Sequence, residues 1–505
     1  MSQNDPSDLR PETAREIDAV VSEIVSEAHV DAAELSAAER EYLRDHALRK
    51  PMGVLHIWAL GVGVVITGEY FGWNIGLQKG GPIGMLLASL FVCALYMMWV
   101  LALSELSVAM PFAGGPMAYG RRAVGPAFGF IMGWSMLLES LFATVGTGLA
   151  TGGYIYYVVN LFFRGFDPAL VTTIAALATV ACFAVVQWLG SRLQARLMEW
   201  MTYGAVLALV WFWIACFPAI RVERILAAPL LPEGWLGAIK AIPYAIWWLV
   251  MIETVALAPE EAREPHVTIP RGLTLAQITL VVLVLMTWFV TVGAGSDYRE
   301  TGADTMSYPL PFVYGQVWPN SLHLTLFSVA ALFGMIVSYN GMIYAVTRQS
   351  FSLGRAGYLP QILGHVHHVR RTPDVSIVFW SLVVAGFVIW GYFQSQAVNV
   401  AVLVCNFAAL IWYMLAIVCL FILRHRDPHL PRPFRVPWYP VLPALVFLMS
   451  LFSIIVYAWL NEPIVFGLTV LMYAAGFCYY LLFARGRLVS AAPEELAARG
   501  GHEKS

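Results

Sequence analysis

Two glutamates stand inside long apolar stretches of the sequence. Glu69 lies within residues 53–77 and Glu253 within residues 238–258, and each stretch is long enough to cross a lipid bilayer. A carboxylate near the bilayer centre costs at least ~2–3 kcal/mol on insertion scales, so it is a functional-site candidate by default. Because a buried carboxylate pairs with a cation, these positions predict a midplane site for an ammonium-bearing solute.

Composition places the chain among membrane proteins. Of its 505 residues, 59% are hydrophobic and only 12% are charged, whereas soluble domains carry about 25% charged residues. We therefore predict an all-α polytopic membrane protein. The net charge of −2 gives no signal for a nucleic-acid partner. The six cysteines all fall inside apolar runs, and no spacing resembles a metal site or a nucleophile–base motif. We predict no metal, no cofactor and no enzymatic activity.

Twelve apolar runs predict twelve transmembrane helices. The third run is too long for one plain crossing and predicts an interfacial turn before Phe166. The runs lie near residues 53–77, 82–110, 125–162, 169–189, 196–220, 238–258, 272–294, 322–347, 375–394, 398–423, 438–460 and 463–484.

The runs divide the chain into four parts. We predict a cytoplasmic N-terminal helical segment (1–50), a ten-helix transport core (51–425), spans 11 and 12 (426–486) and a cytoplasmic tail (487–505), of which residues 491–505 read as disordered. With the N-terminus inside, inner segments carry twenty Lys and Arg residues and outer segments carry six. This bias predicts that both termini are cytoplasmic.

Four ordered motifs carry a family resemblance. Residues 104–119 (SELSVAMPFAGGPMAY) look like the end of span 2, and residues 125–134 look like the start of span 3. Residues 253–270 and 354–373 are similar to the family's stretches after spans 6 and 8. Together they resemble the amino acid–polyamine–organocation transporter superfamily. The resemblance implies a five-plus-five inverted repeat of the leucine-transporter fold plus two extra helices, alternating access, and a location in the cell membrane, in bacteria the inner membrane.

The first span departs from the family pattern at one informative position. Members usually read Gly-Ser-Gly-x-Phe here, and the bare amides hold a substrate carboxylate. This chain reads Thr67-Gly68-Glu69-Tyr70-Phe71, and the Glu69 carboxylate would repel a substrate carboxylate but pair with an ammonium. The run 69–74 (EYFGWN) looks like the ethanolamine permease branch. We therefore predict import of a small amine, with ethanolamine the first choice.

The resemblance implies a site between the broken centres of spans 1 and 6. A cation would favour aromatic walls there, although each aromatic residue is also explained by core packing. Ser338 and Asn340 are polar enough to reach a substrate hydroxyl, and Glu139 is a third intramembrane acid that could lie near a water-accessible end. The candidate substrate-binding residues are Thr67, Gly68, Glu69, Tyr70, Phe71, Trp247, Met251, Glu253 and Tyr339.

The sequence favours a buried carboxylate over a lysine as the group that couples transport to protons. Some proton-coupled members carry a lysine in span 5, but the matching position here is Ala205 and span 5 contains no lysine. Glu253 is therefore the candidate for proton coupling, with a structural anchor as the alternative role. A sodium ion is a weaker alternative, because Ala205 supplies no side-chain oxygen for it, and facilitated diffusion of the cation down the membrane potential is the fallback. Glu105, Glu260 and Glu261 lie at cytoplasmic helix ends and predict inner-gate ion pairs.

Two alternatives stay open for the function. The chain could be an amino acid or polyamine permease, since two carboxylates suit a diamine, or a transporter-like membrane sensor that signals through residues 1–50. The expected partners are a small amine, the lipid bilayer and a proton as coupling ion. The sequence leaves monomer and homodimer equally open.

The charge bias makes a prediction about topology. The loop that contains Arg355 and His367 should be cytoplasmic, and Tyr298 should be outside. Single cysteines at 298 and 367, labelled in intact cells with an impermeant reagent, test this. Labelling of the 367 site from outside would contradict the predicted orientation.

Overall fold

The computed structural model describes residues 18–19, 21–22, 24–26, 35–46, 52–226, 229–303, 306–394, 396–460 and 463–499. Across these residues the chain is helical and contains no β-strand, apart from an isolated parallel bridge between Met52 and Ala262. The α-helices are α1 Ala37–His46, α2 Val54–Val65, α3 Thr67–Tyr70, α4 Gly76–Ala109, α5 Pro116–Ala123, α6 Pro126–Phe162, α7 Pro168–Leu189, α8 Ser191–Cys216, α9 Val222–Ile225, α10 Gly234–Ile246, α11 Pro265–Ala294, α12 Tyr298–Thr301, α13 Pro309–Val317, α14 Ser321–Arg355, α15 Asp374–Phe393, α16 Ala397–Arg426, α17 Val441–Leu460, α18 Pro463–Tyr479 and α19 Pro493–Arg499.

Ten helices in the described ranges are long and apolar enough to cross a membrane. They are α4, α6, α7, α8, α11, α14, α15, α16, α17 and α18. The other two predicted spans, 53–77 and 238–258, are interrupted helices, so neither is one long continuous helix. The all-α polytopic fold is thus confirmed, and twelve crossings stay a prediction.

The helix of the first interrupted span is broken at two places. Helix α2 gives way to the single turn of α3, and Phe71 is then extended (φ −162°, ψ 171°) while Gly72 takes φ 91°. A 3₁₀ turn, Trp73–Ile75, leads into α4, whose backbone bends at Gly81 (φ 67°). A residue before proline avoids helical geometry, so Pro82 explains this bend. Glycine at 72 and 81 makes both positive φ angles accessible.

The second interrupted span ends α10 at Ile246. The chain then passes through a run of turns, Met251 adopts the left-handed region (φ 79°), and a 3₁₀ helix, Ile252–Leu257, follows. The sequence predicted this break only weakly, because no glycine is present. A non-glycine residue in this conformation is strained, and such residues are concentrated at functional sites.

Helix α6 continues through the whole third apolar run without the interfacial turn that was predicted there. It runs unbroken for 37 residues to Phe162, about 55 Å at 1.5 Å per residue. The predicted turn before Phe166 lies at residues 163–165, beyond the helix. Helices α7, α14 and α16 pack along α6, while α4 packs against α10 and α11, and α11 packs against α2. Both interruptions therefore lie inside the bundle.

The two terminal segments differ from each other in how well they were predicted. Helix α1 caps the end of the bundle where the Tyr42 hydroxyl donates to the Arg355 carbonyl at 2.5 Å. Burial lowers the pKa of His46 to about 4, so a neutral ring stacks on Tyr42. The N-terminal segment also contains apolar residues at helical spacing, at positions 17, 20, 21, 24 and 25. Of these, Ile24 and Val25 are buried, and positions 17 and 20 lie outside the described residues.

The expectation of a disordered tail is wrong for residues 491–499. They include α19, and Ala492, Glu494 and Leu496 are buried. The docking depends on ion pairs with residues far away in the sequence, which composition alone does not reveal. Residues 500–505 lie outside the described part.

Candidate functional site

A serine from α14 bridges the break between α2 and α3. The Thr67 backbone N–H donates to Ser338 Oγ at 2.9 Å, and the Ser338 hydroxyl donates to the Gly63 carbonyl at 2.7 Å. Backbone groups without water must find such partners at membrane depth. Ser338, which looked available for a substrate hydroxyl, therefore closes the break instead.

The two interruptions touch each other at Gly68. A Cβ at this position would lie 2.5 Å from the Trp247 carbonyl and 2.9 Å from the Trp248 carbonyl. The Phe71 and Trp247 rings meet edge to face at 5.4 Å, and the Trp73 and Trp248 rings stack at 4.3 Å. Only glycine allows this approach of the two backbones, so Gly68 sets the crossing point.

Glu69 is fully buried and neither of its carboxylate oxygens has a hydrogen-bond partner among the described residues. Its polar neighbours include Thr287 on α11 and Cys93 on α4. The Glu69 side chain therefore points to the side of α3 that faces α4 and α11. A buried, unpaired carboxylate is costly and calls for a proton or a cation.

Tyr70 faces a different neighbour from Glu69. Its hydroxyl donates to the Ala205 carbonyl on α8 at 2.7 Å, and its own carbonyl accepts from the Tyr154 hydroxyl at 2.7 Å. Ala205 is the position at which the family resemblance places a lysine in some members. Here a tyrosine hydroxyl links the first interruption to α8, and the Tyr70 ring packs against Gly334 on α14.

Glu253 lies next to another buried carboxyl group, that of Glu139. Its Oε1 accepts from the Met251 backbone N–H at 3.0 Å and from the Tyr413 hydroxyl, while its Oε2 has no partner in the described structure. Glu139 on α6 accepts from Trp412 Nε1 at 2.6 Å, and its carboxyl group lies within hydrogen-bonding reach of Glu253. Trp412 and Tyr413, consecutive residues on α16, thus donate to two carboxyl groups that lie next to each other in space.

The sequence did not reveal this pairing of Glu139 with Glu253. Glu139 was expected near a water-accessible end, yet its side chain is fully buried in the middle of α6. The available signal was the presence of three acids, Glu69, Glu139 and Glu253, well inside apolar runs whose few basic residues lie at the ends of the runs. Buried acids that have no buried base to pair with must either stay alone or share a proton, and Glu139 and Glu253 lie side by side here.

Tyr339 lies on a third side of the interruptions. Its ring packs against Phe183 at 5.8 Å and close to Gly148, and its hydroxyl has no partner among the described residues. Asn340 accepts from the Gln187 side chain at 3.0 Å and is already engaged. The structure therefore brings Gly68, Phe71 and Trp247 together, whereas Glu69, Glu253 and Tyr339 face other neighbours. The Thr67 hydroxyl donates to Met335 Sδ on α14 at 3.4 Å.

The ion pairs predicted for Glu105, Glu260 and Glu261 are present, and their role as an inner gate stays a prediction. Arg355 contacts Glu260 at 2.7 Å, and Arg348 contacts Glu261 at 2.7 Å, so the chain after the second interruption is tied to the end of α14. Glu105 at the end of α4 contacts Arg424 at 2.5 Å. In the ranges that the structure describes, no three acidic, histidine or cysteine side chains cluster as metal ligands would.

An all-helical bundle with two interrupted membrane helices in contact is the architecture of a membrane transporter. The chain belongs to the amino acid permease family, whose model matches residues 52–483. It is 30% identical to an uncharacterized transporter of Rhizobium meliloti over 82% of this chain and 87% of that protein. It is 24% identical to a branched-chain amino acid permease of Bacillus subtilis (87% of this chain, 94% of the permease).

A third relative extends the range of named substrates. The methylthioribose transporter of Bacillus subtilis is 24% identical over 88% of this chain and 95% of the transporter. These matches confirm the resemblance to the amino acid–polyamine–organocation superfamily. The ethanolamine permease branch stays a prediction.

The close approach at Gly68 makes a prediction about stability. Gly68→Ala should force the two interruptions apart, since its Cβ would collide with backbone rather than with a flexible side chain, and overpacking costs about 1–3 kcal/mol. Gly386→Ala is the matched control, because its Cβ would meet nothing within 4 Å on the exposed face of α15. Thermal unfolding followed by tryptophan fluorescence should show a lower Tm for Gly68→Ala alone. Equal Tm values would contradict the steric argument.

Proposed function

We propose that this permease imports a small amine, with ethanolamine as the first choice and Glu69 as the counter-charge of the substrate ammonium. The observation that carries the proposal is the complete burial of Glu69 with both oxygens unpaired. An ammonium has three donors and no acceptor, so it suits two bare carboxylate oxygens. The Thr287 hydroxyl beside Glu69 gives a further polar contact for a small alcohol.

Two tryptophan rings next to Glu69 support the same choice of ligand. Trp73 and Trp248 stack at 4.3 Å, Trp73 Nε1 donates to the Glu69 carbonyl at 3.2 Å, and Trp248 Nε1 donates to Ser89 on α4, the helix that the Glu69 side chain faces. Each favourable ring adds about 0.5–2 kcal/mol to the binding of a cation. Trp247 Nε1 is also unpaired among the described residues, so this ring has a donor available for a polar ligand.

The alternative is an amino acid or polyamine permease. The Bacillus subtilis relatives named for a branched-chain amino acid and for methylthioribose favour a broad range of solutes in the family. Against an amino acid, Glu69 would repel the substrate carboxylate. Against a diamine, Glu253 is turned toward Tyr413 and Glu139 rather than toward Glu69. A single amine therefore fits these groups best.

Coupling to a proton is proposed at Glu253, now together with Glu139. Two carboxyl groups in contact at low dielectric repel each other strongly if both are ionised, so one proton between them is favoured. Tyr96, Cys405, Tyr413 and Tyr473 are the titratable neighbours of the pair, and all are neutral near pH 7. Glu69 is left to hold the substrate. The proposed orientation has both termini in the cytoplasm.

Removal of the Glu69 charge should abolish tight amine binding. Glu69→Gln keeps the shape of the side chain but leaves a desolvated ammonium unpaired, which costs about 3–5 kcal/mol or at least ~100-fold in Kd. Glu300→Gln on the exposed outer helix α12 is the control. Calorimetry with ethanolamine, choline, putrescine, alanine and arginine measures the effect. Unchanged ethanolamine binding by Glu69→Gln would refute the amine site.

Neutralising either member of the acid pair should uncouple transport from the proton gradient. Glu253→Gln and Glu139→Gln should still exchange labelled substrate in counterflow, because Glu69 is intact. They should lose accumulation driven by an imposed pH gradient, since no shared proton remains. Proteoliposomes with separately imposed proton, sodium and potential gradients measure this. A strict sodium requirement of the unmodified protein would refute carboxylate coupling.

A further inference from the structure

The chain beyond the last apolar helix folds back onto the end of the bundle that carries the inner-gate ion pairs. The Val489 backbone N–H donates to the Ala356 carbonyl at 3.1 Å. Ala492 and Leu496 are buried there. Gly357 (φ 84°) lies so close to the tail that a Cβ would come within 2.2 Å of the Arg487 carbonyl. The tail is therefore a packed part of this end of the molecule.

Glu494 adds a second acid to one inner-gate ion pair. Its Oε1 accepts from Arg355 Nη2 and from the Ser352 hydroxyl, both at 2.6 Å. Arg355 also donates to the two oxygens of Glu260 at 2.7 and 3.0 Å. The Arg355, Glu260 and Glu494 side chains are 0–1% exposed. One arginine thus joins α14, the chain after the second interruption, and the tail.

Glu495 attaches the tail to a different element. It accepts from Arg121 Nε at 2.9 Å and from the Tyr358 hydroxyl at 3.1 Å. Arg121 lies on α5, the short helix between α4 and α6. Consecutive glutamates therefore bridge α5 to the end of α14. The tail also lies beside Gly114, where a Cβ would come within 3.0 Å of Glu494 Cγ.

This arrangement changes how easily the Arg355–Glu260 pair can separate. Water-exposed ion pairs contribute little and part readily, whereas a desolvated pair is costly to break because each charge is left buried alone. The tail contributes Glu494 as a second buried acid on Arg355, while the Tyr42 hydroxyl of α1 donates to the Arg355 carbonyl. Opening this end of the bundle requires Glu260 to move away from Arg355, so the docked tail opposes the opening.

We propose that residues 489–499 form an autoinhibitory latch, which holds this end of the transporter closed through Glu494 and Glu495 and must undock before that end can open. The proposal goes beyond the transported solute. It rests on alternating access and on neither the amine nor the coupling proton. Undocking exposes an acceptor site with two arginines, Arg121 and Arg355, that fits a pair of adjacent carboxylates.

The test combines a charge-neutral variant, a truncation and a matched control. Glu494→Gln/Glu495→Gln keeps the shape of the tail, and a chain ending at Leu488 removes it. Glu264→Gln removes a charge from an exposed residue beside the same end of the bundle. Hydrogen exchange of the backbone over residues 252–262 reports opening without any substrate. Counterflow of any solute that the protein carries reports the rate of alternation.

The latch predicts faster opening when the tail is released. Exchange over residues 252–262 should accelerate about tenfold in both tail variants, which corresponds to about 1.4 kcal/mol, and counterflow should accelerate in the same direction. Glu264→Gln should match the unmodified protein.

Unchanged exchange in variants that keep the unmodified Tm would overturn the latch. Slower counterflow with a lowered Tm in both variants would also overturn it and make the tail a structural support. If ethanolamine is not carried, the amine proposal fails, but the exchange result still decides on the latch.

Discussion

Inside a bilayer no water is available, so every interrupted helix must satisfy its backbone groups from the protein or a ligand. The rest of this structure follows from that constraint. Ser338 closes the first interruption, and the Glu253 carboxylate takes the Met251 N–H of the second. Several other polar atoms near the breaks also lack a partner, but among the buried carboxyl groups of the described residues Glu69 is the one with both oxygens unpaired, which is why the proposed function assigns it to the solute.

The buried acids occupy three kinds of environment, and each kind suits a different task. Glu69 lies alone, Glu139 and Glu253 lie together under neutral donors, and Glu260 and Glu261 lie against arginines. A lone acid attracts a cation, a pair of acids takes up a proton, and an ion pair fastens two elements. In the function proposed above, solute, proton and gate would therefore act on separate charges of one molecule.

The sequence predicted what depends on local pattern and missed what depends on distant partners. Apolar run length predicted the helices, and glycine beside a charge predicted the first interruption. Met251 carries no comparable local signal, because its conformation is held by Glu253 and the packing around it. Glu139 and Glu253 are 114 positions apart, and the polar tail docks on Arg121 and Arg355. Such contacts become visible only in three dimensions.

Gly68 and Glu69 are neighbours in the chain but have different surroundings. Gly68 meets the carbonyls of the second interruption, whereas the Glu69 side chain faces α4 and α11. The close approach of the two backbones thus depends on Gly68, whereas the buried charge is supplied by Glu69. If Glu69 holds the solute as proposed, a single codon change at position 69 would alter which solute is attracted while the crossing of the two broken helices stays intact. Such a frame lets substrate preference diverge in small genetic steps without a new fold.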